Sequence, residues 1–481
     1  MTVVRAPGAM NRSRPRGNAD AHHPSAITSR PQDRSDPEGS MASVPTSVNT
    51  TGTTAAGPDR PAPGPRKAAL AAAAGTAIEY YEFGVYGYLA VVLGPHFFPG
   101  DDPTAALLAT LAVFGSAFLM RPLGGVLLGR LGDRVGRKPV LILTVVGMGT
   151  ATMAVGLLPT ADTVGVAAPC ALLVVRLAQG FFAGGEVTGS ATYLAEAAPP
   201  GRRGFFGAFT PVGVALGGGA AALVAGVVST MLSERQLEAY GWRIPFLLSF
   251  PLILVALAAR RHLADSEAFL EKKRERATAK APLREVLTRH RGPVLKVTLL
   301  ATGSNCGYWV GLIFMNIYLT SNLGYPKSST FWIMGGIGLF VACLMPLFGA
   351  LSDRLGRKKV ITLGFAGYGI LVVPAMLVMG LGNFPLAILA MVVLAVPMPI
   401  VQSVTYPTYA ELFPTEVRYT GLSFSFNIGT ILGGGLSPYL ATWLIDGTGN
   451  LLAPGFLLMG AVVIALLTLR TVQESSREAL A

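Results

Sequence analysis

Two ten-residue segments, GRLGDRVGRK at 129–138 and GALSDRLGRK at 349–358, carry the same Gly-x-x-x-Asp-Arg-x-Gly-Arg-Lys frame 220 positions apart. A second echo lies downstream of each of them. YLAEAAPPGRRG at 193–204 and YAELFPTEVRYTG at 409–421 align Glu196 with Glu411, Pro199 with Pro414 and Arg203 with Arg418, all at an offset of 215. The same parts recur in the same order, so the chain is a duplication. Because apolar runs separate the parts, each copy has to be a bundle of membrane helices.

Hydrophobic residues make up 51% of the 481 positions, charged residues 13%, and the mean hydropathy is +0.52. These values exclude an ordinary soluble domain. Stretches of about 20 apolar residues, the length that crosses a bilayer, occur twelve times: 68–93, 104–129, 139–159, 165–197, 204–230, 243–261, 294–320, 328–350, 359–380, 384–411, 419–445 and 452–470. The expected fold is an all-α integral membrane protein with twelve transmembrane helices in two pseudo-symmetric six-helix bundles. The expected division is a disordered tail at 1–67, a first bundle at 68–261, a linker at 262–293, a second bundle at 294–470 and a short tail at 471–481.

A formal charge of +12 could suggest nucleic acid, but its distribution points to a membrane. Of the 38 Lys and Arg, 33 lie in the amino-terminal segment, in the loops after spans 2, 4, 6, 8 and 10, or in the carboxy-terminal tail. Only Arg235 and Lys327 fall in loops on the other side. The positive-inside rule then places both termini and the linker in the cytoplasm, as in a multi-pass protein of the cell's inner membrane. Cys170, Cys306 and Cys343 lie in apolar spans without metal-like spacing, so they are expected to pack and no metal site is expected.

The two repeated loops leave two or three residues between helices. Gly129 and Gly349 suit close backbone approach. Asp133 and Asp353 suit a helix amino terminus. Arg134, Arg137, Arg354 and Arg357 can pair with carboxylates at neighbouring helix ends, Glu196 and Glu411 among them. With Arg203 and Arg418, these residues form an expected conformational latch.

Charge inside the spans marks the working region. Span 1 carries Glu79 and Glu82, span 2 Arg121, and span 4 Arg176 and Glu186. Each costs roughly 2.5 to 3.5 kcal/mol at a helix centre unless paired or facing water. Spans 7 to 12 have no charge near their midplane; they offer Asn305, Tyr308, Asn316, Gln402, Tyr406 and Asn427. Proton chemistry is therefore expected in the first half, on Glu79, Glu82, Arg176 and Glu186. Two carboxyls three residues apart share a helix face and, out of water, take up a proton together more readily than either does alone. Arg176 presents a planar fork that suits a carboxylate. It is expected to pair with Glu82 when the site is empty and with a substrate carboxylate once Glu82 is protonated. Glu186 is expected to meet Arg121, although Arg121 lies close enough to the cytoplasmic side to snorkel. Arg243 beside Trp242 reads as an interfacial anchor. Tyr81 and Tyr86, with the polar residues Asn305, Tyr308, Gln402, Tyr406 and Asn427, are the expected lining of the substrate site alongside Arg176.

The repeated loops resemble the signature loop of the major facilitator superfamily over residues 68–470. Within it, IEYYEFGVYG at 78–87, RPLGGVLLGRLGDRVGRK at 121–138, RLAQGFFAGGE at 176–186 and WRIPF at 242–246 resemble the metabolite:proton symporter family, which includes proline/betaine, 2-oxoglutarate, citrate and shikimate transporters. FPTEVRYTG at 413–421 and FNIGTILGGGLSPYLATWLI at 426–445 are most similar to the proline/betaine branch. The chain departs from the family in carrying Glu82 where Asp is common, and from the branch in carrying Thr76 where Asn is common. The resemblance implies a proton-coupled symporter that imports a small carboxylate or zwitterion by alternating access, with the proton gradient as energy source and no cofactor. Its partners would be the solute, protons and the bilayer, without nucleic acid, and one twelve-span chain is sufficient for transport. A symporter of a dicarboxylate or aromatic acid meets the same charges. A proton-driven drug efflux antiporter is disfavoured because Pro211 lacks Gly-Pro-x-x-Gly-Gly surroundings. No zinc spacing, nucleophile elbow or phosphate loop supports an enzyme.

Overall fold

The computed structural model describes residues 64–261, apart from 136, and 282–476. Of the expected tail at 1–67, residues 1–63 lie outside the described residues, while Pro65–Lys67 belong instead to the first helix; most of the 262–293 linker, the last five residues and the side chains of Asp133, Arg134 and Arg137 also lie outside the described residues. The described chain is all helical. The spans are α1 (Pro65–Phe97), α2 (Pro103–Val135), α3 (Arg137–Leu157), α4 (Ala167–Ala197) and α5 (Arg203–Met231). Next comes α6, made of Glu234–Gly241 and Arg243–Ala258 bent by 40°. The second half holds α7 (Arg291–Asn322), α8 (Lys327–Leu355), α9 (Arg357–Met379), α10 (Phe384–Glu411), α11 (Arg418–Thr448) and α12 (Ala453–Arg470). Ten of these are long and apolar enough to cross a membrane, and the bent α6 makes eleven. The twelfth, α1, is 33 residues long and carries both span-1 glutamates among its buried residues.

Several spans are interrupted. α4 is broken between Phe182 and Glu186. α7 has π-turns at Val310–Phe314 and Tyr318–Asn322, and α11 has one at Ile431–Gly435. A π-turn admits one extra residue and rotates the remainder of the helix about its axis, a device common at functional sites.

Gly217, Gly218 and Gly219 let α5 pass between three neighbours. A Cβ at Gly217 would fall on Ala77 O of α1, one at Gly218 would lie 2.5 Å from Tyr308 Oη of α7, and one at Gly219 would lie 3.2 Å from Gly338 Cα of α8. Small residues thus replace side-chain interdigitation where the two halves cross. Gly217→Leu should drive α1 off α5 at a cost of roughly 3 kcal/mol, the upper range for overpacking. Detergent-solubilised protein should then elute largely as aggregate in size-exclusion chromatography, and a monodisperse peak of wild-type height would contradict this packing.

Ties between the halves occur at both ends. At the end bearing the repeated loops, the Asp353 carboxylate accepts the N–H groups of Gly204 (2.8 Å) and Phe205 (2.9 Å) at the start of α5. That helix start has no side-chain cap of its own, so Asp353 supplies an anion where the helix dipole favours one. Arg357 pairs with Asp353 (2.8 Å) and Glu411 (3.2 Å), and Arg418 reaches Glu196 at 3.4 Å. Gly349 lies against Gly204, whose carbonyl leaves no room for a Cβ. Gly129 differs from the expectation of close approach, since nothing lies within 4 Å of where its Cβ would be. Arg354 is exposed and Arg203 half-buried. At the opposite end Trp332 Nε1 donates to Thr230 Oγ1 (3.1 Å), Asn316 Nδ2 to Tyr88 O (3.3 Å), and Lys327 lies 3.9 Å from Glu238.

The carboxy-terminal segment joins the first of these clusters. Glu474 accepts the N–H groups of Arg357 (2.8 Å) and Lys358 (3.0 Å) at the start of α9, and Ser475 Oγ donates to Glu411 at 2.6 Å. Burial opposes ionisation of Glu474, but these backbone donors and Ser476 outweigh it and hold the carboxyl below its usual range. The docking that it stabilises is therefore present at neutral pH and is lost only as pH falls through that lowered value.

Candidate functional site

Close α2–α4 packing builds the site. A Cβ at Gly180 would fall on Ala117 O, and one at Gly124 on Phe181 O, so the two backbones nearly touch. That approach brings Arg121 of α2 and Arg176 of α4 beside α1. Four of the five charged groups marked in spans 1, 2 and 4 are sealed from solvent: Glu79 is 2% exposed, Glu82 1%, Arg121 1% and Arg176 0%.

The pairing differs from expectation. Arg121 Nη2 donates to Glu79 Oε1 at 2.8 Å, whereas Arg121 was expected to snorkel or to meet Glu186. Three residues advance a helix by about 300°, so Glu79 and Glu82 diverge by about 60°. That is enough for Glu79 to face α2 while Glu82 turns to α3 and α6, where its Oε1 lies 3.1 Å from the position of a Gly149 Cβ that Ile253 also approaches. Arg176 does not pair with Glu82. Its Nη1 donates to Gln179 Oε1, and its Nη2 to Phe114 O at 3.3 Å. Neither Glu82 carboxyl oxygen has a hydrogen-bond partner. Glu186 opens the second segment of α4, half-buried and within electrostatic reach of Glu82.

Aromatic rings compensate the guanidinium charges. Phe83 lies under both, 4.4 Å from Arg121 Cζ and 5.2 Å from Arg176 Cζ. Tyr86 is 4.2 Å from Arg176 Cζ and Phe118 is 4.9 Å from Arg121 Cζ. A cation over a desolvated ring gains about 2 kcal/mol. The second half contributes Trp309, whose ring centroid is 5.2 Å from Phe114, 5.3 Å from Phe118 and 6.0 Å from Tyr80. Trp309 directly precedes the α7 π-turn, and its buried Nε1 has no hydrogen-bond partner.

The expected lining residues separate into two groups. Tyr86 and Tyr308 belong to the aromatic cluster, with Tyr86 Oη donating to Thr110 O (3.1 Å) and Tyr308 Oη to Val214 O of the other half (3.1 Å). Tyr406 faces Tyr80 across the halves and packs on Phe426 at 5.5 Å. Asn427 Nδ2 donates to Gly184 O of α4 at 3.2 Å. By contrast Asn305 Nδ2 donates back to Ala301 O of its own helix (2.9 Å), and Gln402 Nε2 donates to Ser304 O (3.0 Å), tying α10 to α7 within the second half. Tyr81 donates to Pro245 O of α6 at 2.8 Å. It faces away from the cluster, because neighbours on a helix point about 100° apart and Tyr80 takes the inward direction.

Arg243 Nη1 caps the end of α3 through Gly156 O and Leu158 O, both at 2.7 Å, with its Cζ 4.4 Å from the Trp242 ring. Of the cysteines only Cys306 is buried, while Cys170 and Cys343 are exposed on outward faces, against the expectation that all three pack inside. Sequence reasoning missed Gln179, Thr152 and Trp309. Gln179 did carry a signal, being a polar residue one helical turn after Arg176.

Residues 72–425 and 298–480 match the Major Facilitator Superfamily. The chain is 37% identical over 424 residues to the glycine betaine/proline/ectoine/pipecolic acid transporter of Dickeya dadantii (strain 3937), covering 86% of this chain and 84% of that one. It is equally 37% identical to the proline/betaine transporter of Escherichia coli (strain K12), covering 86% and 85%. Among solved structures, a D-xylose-proton symporter shares the fold at a TM-score of 0.70 and 18% identity, covering 86% of this chain and 99% of that one. The two glutamates and two arginines buried between α1, α2 and α4 thus lie inside a membrane transporter, and the chain belongs to the major facilitator superfamily, in its metabolite:proton symporter branch.

Proposed function

We propose that the protein imports a small zwitterion together with a proton by alternating access, working as a single chain in the cell's inner membrane with both termini and the repeated loops in the cytoplasm. One observation carries this reading. Of two buried guanidinium groups over the same Phe83 ring, Arg121 is paired with a carboxylate while Arg176 has only neutral partners, Gln179, Phe114 O and aromatic faces. A buried cation of this kind suits a substrate carboxylate in bidentate contact. The faces of Trp309, Tyr80 and Tyr308 suit the cationic end of the same molecule. Proline and betaine, named in the relatives, have this charge pattern.

Charge balance supplies the coupling. With Glu82 ionised, its charge and that of Arg176 offset each other and a substrate carboxylate is excess. With Glu82 protonated, the substrate carboxylate restores neutrality, so proton and solute bind together. The Arg121–Glu79 pair favours a second reading: protonation of Glu79 would release another guanidinium, which suits a dicarboxylate.

Uptake of labelled proline, glycine betaine, 2-oxoglutarate, citrate and shikimate into proteoliposomes under an inward proton gradient tests both. Proline or betaine should accumulate in the wild type. Glu82→Gln should reduce accumulation to the equilibrium level while retaining exchange of preloaded solute. Accumulation that survives the substitution would remove Glu82 from the proton site, and outward movement of solute would favour an antiporter.

A further inference from the structure

We propose that Gln179 and Thr152 are positioning residues that transmit the protonation of Glu82 to Arg176, a role that rests on the reading above. The geometry is a continuous buried chain. Arg176 Nη1 donates to Gln179 Oε1; Gln179 Nε2 donates to Thr152 Oγ1 (2.6 Å) and, at longer range, to Glu82 O (3.4 Å); Thr152 Oγ1 donates to Met148 O at 3.0 Å. Arg176, Gln179 and Thr152 are each no more than 1% exposed, so water is not a competing partner.

The orientation of the amide is set by its neighbours. A guanidinium only donates, so Oε1 must face Arg176, which leaves Nε2 for Thr152. The Thr152 oxygen, taken as an acceptor by Gln179, retains one proton. That proton has two destinations: Met148 O, to which it is donated here, and the Glu82 carboxyl, which lies within reach of the same hydroxyl and whose oxygens are otherwise unpartnered. Thr152 is therefore a two-position rotor. When Glu82 is neutral, the hydroxyl bonds to its own helix. When Glu82 is ionised, the hydroxyl turns to the carboxylate and the bonds polarise in series, drawing Gln179 Oε1 more strongly onto Arg176. A substrate carboxylate then competes for a guanidinium already held. The other charged or titratable groups near Glu82 among the described residues are Glu79 and Tyr81 on α1, Arg121 on α2, and Arg176 and Glu186 on α4; α3 and α6 face it with the uncharged Gly149, Thr152 and Ile253. None of them replaces the amide as a bonded link to Arg176.

The test is the pH dependence of substrate affinity, read as binding of labelled proline or betaine to purified protein at pH 6 and pH 8. The wild type should bind about tenfold more weakly at pH 8, within the usual range of coupling between sites. Gln179→Leu and Thr152→Val should each reduce that ratio to under about twofold while solute exchange persists, and Thr152→Ser, which keeps the hydroxyl, should restore it. A Gln179→Leu protein that exchanges solute and keeps the full wild-type ratio would overturn the relay. A ratio near one in both the wild type and Glu82→Gln would overturn the underlying reading, and the relay with it.

Discussion

Arg176→Gln should lower apparent substrate affinity about thirtyfold or more, since truncating one member of a buried, hydrogen-bonded charge pair costs roughly 2 to 5 kcal/mol. The geometry sets the ranking of substitutions. Arg176→Lys keeps the charge but loses the planar fork and much of the stacking on Tyr86 and Phe83, whose centroids lie 4.2 and 5.2 Å from Cζ. It should lose about tenfold. Both variants should reach wild-type abundance, because Arg176 makes no ion pair that holds helices together among the described residues. Concentration-dependent uptake at fixed proton gradient provides the measurement. Affinity within about threefold of wild type in Arg176→Gln would show that the substrate carboxylate binds elsewhere, with Arg121 the next guanidinium to test.

The spans were legible because a helix that crosses a bilayer must be long and apolar whether it faces lipid or its neighbours. α1 is the informative exception. Glu79 and Glu82 depress its apolar character, yet the residues that make it a poor membrane segment also mark the site. Pairing was not legible, because α1 packs against α2, α3, α4, α5 and α6 and a helix rotation of about 60° decides which neighbour a carboxyl meets. The sequence therefore identified the charged residues and misassigned their partners. The same limit applies to Trp309. Its place in the cluster comes from packing on Phe114 and Phe118 of the other half, which no local pattern around Trp309 encodes. The repeated loops were legible in function class because Asp, Arg and Gly recur at fixed spacing. Which of their residues tie the halves was not, since Gly349 is in backbone contact with Gly204 while Gly129 has open space.

That asymmetry bears on the second large effect. Asp353→Asn should open the loop end of the transporter. Asp353 belongs to α8 but holds two backbone N–H groups of α5 in the other half, so its charge acts directly across the interface between the halves. Glu411 and Glu474 differ: both bind Arg357 and its neighbours within the second half. Glu411 braces the guanidinium that orients Asp353, and Glu474 holds the backbone at the start of α9, neither of them crossing between the halves. Loss of charge should therefore weaken closure in the order Asp353, then Glu411, then Glu474. Charged hydrogen bonds contribute about 1.5 to 3 kcal/mol each, so removing the Asp353 charge should raise the open population about tenfold or more. Ala208, fully buried and against Gly349, is a suitable reporter. In a background with Cys170, Cys306 and Cys343 replaced by Ser, Ala208→Cys should be alkylated slowly by a membrane-impermeant thiol reagent in inside-out vesicles. Adding Asp353→Asn should speed labelling about tenfold, Glu474→Gln less than about threefold. Equal rates for Asp353→Asn and Glu474→Gln would mean that closure rests on the cluster as a whole, and unchanged labelling in Asp353→Asn would remove the repeated loop from the latch.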